Sequence, residues 1–252
     1  MTVHFVGAGP GAADLLTVRA VAMLNQADVC VYAGTYIDEA VLSHCPDGAR
    51  LIDAQDLNLD QIIGHIVDAH TEGLDVVRLC SGDPSIYSAL AEQTRRLDEH
   101  AVPWDVTPGV PAYAAAAALL GKELTVPLLT QSVVLTRTRA RSTAMPESES
   151  LANFARTRAS LVLHLAITRI RVLAQELVGE YGAECPVAVV AHATQPGQVI
   201  LTGTLADIAD QVEAAGLRQA AVILVGAALD PARVSESYLY DANRDRKAKI
   251  NP

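Results

Sequence analysis

Leu79-Cys80-Ser81-Gly82-Asp83-Pro84-Ser85-Ile86-Tyr87 breaks an apolar run abruptly into small, polar and turn-forming residues, and helical spacing resumes beyond it. The spacing predicts strand, turn and helix. Leu74 to Leu79 has the β-branched content of a buried strand, Gly82 permits backbone angles closed to other residues, and Pro84 suits the first turn of a helix over Ser85 to Glu99. Such a turn lies at the carboxyl end of a strand, the edge where open α/β sheets bind ligands. An Asp held between Gly and Pro can accept a hydrogen bond from a ligand amine or hydroxyl. The competing expectation is that Asp83 only caps the helix, a common duty for Asp.

Working outward, Val3-His4-Phe5-Val6 feeds the Gly-rich turn Gly7-Ala8-Gly9-Pro10-Gly11-Ala12, and a helix-like run follows from Leu15 to Leu24. Gly7, Gly9 and Ala12 satisfy the permissive dinucleotide pattern G-x-G-x-x-G/A. That pattern also expects an acidic residue at the end of the second strand. Here Asp28 to Tyr32 runs into Ala33-Gly34-Thr35, and Pro10 removes one amide from the phosphate loop. The alternation continues with strands at Ala49–Asp53 and Val102–Val106, and a helix over Leu59 to His70. Tyr87, Leu90, Ala91, Thr94 and Leu97 share one helical face. This is the β-α-β rhythm of a largely parallel sheet, and turns around Pro10, Asp83 and Pro111 should converge at one edge.

Gly121 to Pro127 reads as a linker, dividing the chain into an N-terminal α/β domain, 1–121, and a C-terminal α/β domain with a polar tail, 122–252. In the second, strands are expected at Ser132–Thr136, Leu161–Ile167, Pro186–Ala191, Gln198–Thr202 and Ala221–Val225. Thr168 is expected to cap a helix through Ile170, Ala174, Leu177 and Val178, and Thr204 a helix over Leu205 to Ala215. The fold class is therefore α/β, with two five-stranded, mainly parallel or mixed sheets.

The chain has 252 residues, a formal charge of −10 and half its residues hydrophobic, yet no apolar run of membrane-span length. With no basic-then-apolar N-terminus, a cytoplasmic protein is expected. The acidic balance argues against nucleic acid as partner, and nothing points to a membrane. Cys30, Cys45, Cys80 and Cys185 are scattered without C-x-x-C, so reduced thiols, mostly buried, are expected. No H-E-x-x-H or comparable cluster indicates a metal site. His164 lies in an apolar strand and suits a core position, whereas His192 follows a strand at an expected ligand edge. Against the acidic background, Arg137 to Arg171 holds seven arginines and two acidic residues, Glu147 and Glu149. These are either solvated faces or a site for a polycarboxylate.

Taken together, Val6-Gly7-Ala8-Gly9-Pro10-Gly11, Asp28 to Gly34, Ser81-Gly82-Asp83-Pro84 and Thr107-Pro108-Gly109-Val110 resemble the tetrapyrrole (corrin/porphyrin) methylase family, over residues 2 to about 228. Closer carriers within that family are Ala91-Glu92-Gln93, Ala114 to Leu120, Leu135-Thr136-Arg137 and Met145 to Leu151. The resemblance implies a homodimer of two-domain chains, with S-adenosyl-L-methionine held in a cleft between the domains. It also implies C-methylation of a precorrin, at C11 of precorrin-4, on the route to cobalamin. Cofactor positions carried over by motif are Pro10, Ser81, Gly82, Asp83, Ile86, Pro111, Ala112, Leu165, Ala193 and Ala221. Substrate positions are Arg137, Arg139, Arg141, Tyr87 and His192, because a precorrin carries many carboxylates.

Two departures bear on regiospecificity. Pro111-Ala112-Tyr113 stands where the family has small hydroxyl residues, and Thr194-Gln195-Pro196-Gly197-Gln198 looks more like the uroporphyrinogen-III methyltransferases. Methyl transfer from a sulfonium to an electron-rich carbon relies on in-line placement and exclusion of water, so no nucleophile is expected and no catalytic side chain is singled out. The alternatives are a sister methylase acting on cobalt-precorrin-4 or another ring carbon, a dinucleotide-dependent oxidoreductase, and a non-catalytic tetrapyrrole-binding module.

Overall fold

The structure is a computed structural model that describes residues 1–138 and 144–230, together with Ala232, Ser237, Tyr238, Asn243 and Arg244. Arg139 and Arg141, two of the expected substrate contacts, lie outside the described residues, as does most of the polar tail. The chain forms two compact units. One is Met1–Ala116 with His192–Gln198; the other runs from Ala117 to Ala191 and resumes at Val199.

In the first unit β1 (Val3–Gly7), β2 (Val29–Tyr32), β3 (Arg50–Asp53), β4 (Val76–Cys80) and β5 (Trp104–Thr107) form one sheet of order β3-β2-β4-β1-β5. All four pairings are parallel. Parallel neighbours need a crossover, and it is supplied by α1 (Val18–Leu24), α2 (Glu39–Leu42), α3 (Leu59–Thr71) and α4 (Leu90–Glu99); α5 (Ala112–Leu119) follows β5. Such a sheet is covered on both faces, so its inner strands are largely apolar rather than alternating, with His4 and Arg78 as exceptions. Val3, Phe5, Val29, Val31, Val76 and Cys80 pack with Ile63, Ile66 and Ala69 of α3 and Leu97 of α4. On the other face Val6, Cys30, Val77 and Leu79 pack with Ala20 and Leu24 of α1 and Val41 of α2. The start of α3 is fixed by a reciprocal pair. Gln61 donates its amide to the Asn58 side chain at 3.0 Å, and the Asn58 amide returns a bond to the Gln61 side chain at 2.9 Å.

The second unit holds β6 (Val133–Arg137), α6 (Leu151–Ala155), β7 (Ser160–His164), α7 (Ile170–Tyr181), β8 (Pro186–Ala191), β9 (Val199–Thr204), α8 (Ile208–Ala214) and β10 (Ala221–Val225). Its sheet has the order β6-β7-β10-β8-β9 and is mixed, with β6 and β7 parallel and the remaining pairs antiparallel. Leu161, Leu163, Val187, Val189, Ile223 and Val225 bury one face under Ile170, Leu173, Ala174 and Leu177 of α7 and Ile208, Ala209 and Val212 of α8. Among the described residues no helix is long and apolar enough to cross a membrane.

All ten expected strands form, and Pro186–Ala191 and Ala221–Val225 keep their expected ends. Four local expectations fail for physical reasons. The helix expected from Ser85 begins only at Leu90, because the Asp83 carboxylate accepts the Ser85 amide at 2.8 Å and the Ser85 hydroxyl. That turn then passes through left-handed backbone at Tyr87 (φ 53°) and Ala89 (φ 54°). Tyr87 therefore leaves the helix face and is exposed, and Gln93 is buried in its stead beside Thr94 and Leu97. The strand from Leu161 stops at His164, since Leu165 also adopts a left-handed angle (φ 53°). Thr168 sits inside a 3-10 turn and caps nothing; α7 starts after Arg169. Thr204 donates its amide to the Asp207 carboxylate at 2.7 Å, which delays α8 to Ile208.

Leu163 is fully buried in the second core. Leu163→Ala is expected to lower the unfolding free energy by about 2–5 kcal/mol, read as a shift of the urea midpoint.

Candidate functional site

The turns that leave β1, β4 and β5 meet at the carboxyl edge of the first sheet, as the sequence led us to expect. Gly9 and Gly82 form an antiparallel bridge: the Gly82 amide donates to the Gly9 carbonyl at 2.8 Å and the Gly9 amide to the Gly82 carbonyl at 3.1 Å. The approach needs glycine. A methyl group on Gly109 would fall 2.2 Å from the Gly82 carbonyl oxygen and 2.8 Å from the Gly7 Cα, and one on Gly7 would fall 2.4 Å from the Gly109 amide nitrogen. Gly82 itself is left-handed (φ 67°) and stacks on the main chain of Pro111 and Ala112.

Asp83 ties the second turn to the third. One carboxylate oxygen accepts the Gly109 amide at 2.8 Å, and the other accepts the Ser85 amide and hydroxyl. Burial pushes this carboxyl up, but the bonds from Ser85 and Gly109 outweigh it and hold the group below its ordinary value of 3.8. The capping expectation and the binding expectation thus both need restating: Asp83 caps a turn rather than a helix, and bonds within the protein already use both of its oxygens.

The first turn is held by a segment distant in sequence. The Thr194 hydroxyl accepts the Ala12 amide at 3.0 Å, and the Gln195 side-chain amide donates to the Pro10 carbonyl at 3.1 Å. Gly11 (φ 153°) lies directly beneath Gln195, whose Cγ would be 2.1 Å from a methyl group there. Thr194 adopts a left-handed angle (φ 64°), rare for a β-branched residue, and Gln198 secures it by accepting the Thr194 amide at 2.8 Å. His192 (φ 48°) and buried Ala193 belong to the same segment. These bonds also explain why the G-x-G-x-x-A pattern is no dinucleotide loop: the Ala12 amide is spent on Thr194, and the chain enters a 3-10 turn at Ala13–Leu15 before α1.

The structure therefore gathers Pro10, Ser81, Gly82, Asp83, Pro111 and Ala112 around the bridged and stacked turns, with Ala193 in the segment that clamps them. Ile86 closes the second turn by donating its amide to the Asp83 carbonyl at 3.1 Å. In the second unit Arg137 is the register partner of His164, so it shares one sheet end with Leu165. Ala221, paired with Ala191, begins β10 at that same end, since β10 runs antiparallel to β7. Leu165 is more than half exposed, unusual for leucine beside a core strand. At Arg158 and Arg171 of the arginine-rich stretch the solvated reading holds. Arg171 is paired with Glu213 and Asp210, and Arg158 lies 3.8 Å from Glu180.

The Cys80 thiol at the end of β4 is not poised as a nucleophile. Burial pushes Cys80 up to about 11, with Arg78 and a bond with Ser88 opposing it, and all four cysteines are unbridged. Among the described residues no group of three or more His, Cys, Asp or Glu side chains could hold a metal ion. Sequence reasoning missed the supporting contacts of Gln195 and of Arg78 with Gln93. A single arginine inside the apolar run Val76-Val77-Arg78-Leu79 was the available signal for the second.

Gly109→Ala is expected to cost more than about 3 kcal/mol, beyond the usual overpacking penalty, because the neighbours are main chain and cannot rotate away; thermal melting reads this. Asp83 has a depressed folded-state value, so its contribution is complete above pH 3.8 and lost as pH falls through that lower value. The stability gap between wild type and Asp83→Asn should therefore be constant near neutrality and narrow only in acid, as measured by denaturant unfolding across pH.

The chain is similar along its whole length to known proteins. It matches the model of the tetrapyrrole (corrin/porphyrin) methylases over residues 2–209. It is 53% identical to a precorrin-4 C(11)-methyltransferase of Rhodococcus erythropolis, over 98% of this chain and 99% of that one. Among solved structures, a cobalt-precorrin-4 methyltransferase described as a cobalamin biosynthetic enzyme superposes with a TM-score of 0.88, at 37% identity over 91% of this chain and 96% of that one. A uroporphyrin-III C-methyltransferase of Thermus thermophilus, in complex with S-adenosylhomocysteine, gives a TM-score of 0.75 at 26% identity, over 90% of this chain and 92% of that one. With the two-sheet architecture and the glycine-bridged turns described above, these likenesses establish that the chain belongs to the tetrapyrrole (corrin/porphyrin) methylase family.

Proposed function

We propose that this protein methylates C11 of precorrin-4, with S-adenosylmethionine as donor, in cobalamin biosynthesis. The observation that carries the reading is the end-to-end identity of 53% with a precorrin-4 C(11)-methyltransferase. Cobalt-precorrin-4 C(11)-methyltransferases are less similar, at 40% and 37% identity, which favours the metal-free macrocycle.

The residues suit the donor. An exposed Ser81 and a half-buried Asp83 stand beside apolar Ile86, Pro111 and Ala112, a mixture matched to a ligand with a flat ring and polar ends. The small side chain of Ala112 leaves the main chain within reach there. Bound there, the donor supplies a methyl group already activated on sulfonium sulfur. Pro10, Ser81, Gly82, Asp83, Ile86, Pro111, Ala112 and Ala193 in the first unit, and Leu165 and Ala221 in the second, are assigned to hold it. Catalysis then consists of holding the acceptor carbon in line and keeping water out. Arg137, Tyr87 and His192 are assigned to the macrocycle, Arg137 because a guanidinium pairs two-pronged with carboxylate. No residue is assigned the proton lost from the ring. A homodimer in the cytoplasm completes the reading, on the family resemblance.

Incubation with S-adenosylmethionine and precorrin-4 should add one methyl group by mass spectrometry, assigned to C11 by NMR; methylation of cobalt-precorrin-4 alone would replace the substrate named here. Arg137→Ala is expected to raise the KM for precorrin-4 roughly tenfold or more, the worth of one charged hydrogen bond. Its affinity for S-adenosylmethionine by calorimetry should stay unchanged, whereas Asp83→Ala should weaken that affinity by loosening the second and third turns.

A further inference from the structure

A cation lies in the middle of the first sheet. Arg78, on the central strand β4, is more than nine-tenths buried, and it projects to the face shared with α3 and α4, alongside Val76 and Cys80. A buried charge usually needs an ion partner. Here the guanidinium meets neutral oxygens. Its Nε donates to the Gln93 side-chain oxygen at 3.0 Å, and one terminal nitrogen donates to the Leu79 carbonyl at 2.9 Å and the Val31 carbonyl at 3.3 Å. Burial lowers its proton affinity, with the Cys80 and Cys30 thiols opposing the effect.

Gln93 passes that anchorage on. With its oxygen held by Arg78, its amide nitrogen is directed at the turn before α4, donating to the Ser88 carbonyl at 3.0 Å and the Ala89 carbonyl at 3.2 Å. The fixed guanidinium settles which end of the Gln93 amide points at the turn, since only the oxygen can accept from it. The segment so held is the strained one. Tyr87 and Ala89 both adopt left-handed backbone within three residues, a conformation costing of order 1–3 kcal/mol for each and persisting only where the surroundings over-determine it. The Ser88 hydroxyl adds a bond to the Pro84 carbonyl. Nearer β4, the turn has its own restraints, the Gly9–Gly82 bridge and the Asp83–Gly109 bond, which do not involve Gln93.

We infer that Arg78 and Gln93 are positioning residues that hold the Tyr87–Ala89 segment, and with it exposed Tyr87, in the shape that receives the tetrapyrrole. This rests on the proposed function for the identity of the ligand, and on the structure alone for the holding of the segment. The half of the turn assigned to the methyl donor has separate anchors, so the two binding steps come apart when the network is cut.

Gln93→Glu makes the cut. A carboxylate still accepts from Arg78 and adds a favourable charge, but it offers the Ser88 and Ala89 carbonyls no donor. The expected result is a KM for precorrin-4 raised roughly tenfold, as for a misplacement below 1 Å, with the dissociation constant for S-adenosylmethionine within about twofold. Amide hydrogen exchange over residues 87–90 should quicken about tenfold or more. Should that variant fold poorly, Arg78→Met with Gln93→Met removes both buried partners together and is expected to give the same split. An unchanged KM with unchanged exchange would overturn the inference. So would a loss of donor affinity in proportion to the KM change and to a fall in Tm, which is the signature of general destabilisation. If the wild-type protein does not methylate precorrin-4 at all, the functional reading fails instead, and exchange over residues 87–90 still decides whether the network holds the turn.

Discussion

The first unit depends on main chain touching main chain. Gly7, Gly82 and Gly109 come from three different strand ends, and each occupies space that a single methyl group on its neighbour would fill. That contact draws the carboxyl ends of β1, β4 and β5 to one point, where parallel strands would otherwise splay under their twist. Ser81, Asp83, Pro111 and Ala112, all assigned to ligand binding, are neighbours of those glycines. The chemistry of methyl transfer suits such a platform, because the reacting bond is activated in the donor and the protein has mainly to hold geometry.

The periodic parts of the fold were legible in the sequence. The inner strands of the first sheet are buried on both faces or close to it, and a β-branched run between turn residues is a strong signal of that environment. The mixed second sheet left a similar mark, with Pro186 and Cys185 marking the start of β8 and Ala221 that of β10. What failed lay at helix starts and at one strand end, that of β7. Ser85, Thr168 and Thr204 all have the composition of a cap or first turn, yet at each the backbone is set by a particular side chain or turn nearby. Asp83 captures Ser85, and Asp207 captures Thr204. Side chains of this kind compete with the helix for the same amides, and local composition does not say which partner wins.

The candidate site was legible only as positions. Motif matching named Pro10, Ser81 to Asp83 and Pro111 with Ala112, and the structure brings these turns together. It did not reveal that the Asp83 oxygens are occupied by Gly109 and Ser85, or that Gln195 closes over Gly11. Such bonds join residues far apart in the chain, and each partner alone looks ordinary. Arg78 is the exception, since a lone charge in an apolar strand stands out from its neighbours in the sequence itself.

The bonds from Ala12 to Thr194 and from Gln195 to Pro10 span 182 and 185 positions of sequence. A ribosome makes the chain from its amino end, so the glycine loop after β1 is finished long before the residues that lock it are translated. Until then the Ala12 amide and the Pro10 carbonyl are without these two partners, and the loop is incomplete. Competence to bind a ligand there, on the proposed function, is consequently acquired late in synthesis, and a nascent or prematurely terminated product ending before residue 194 lacks both of these bonds.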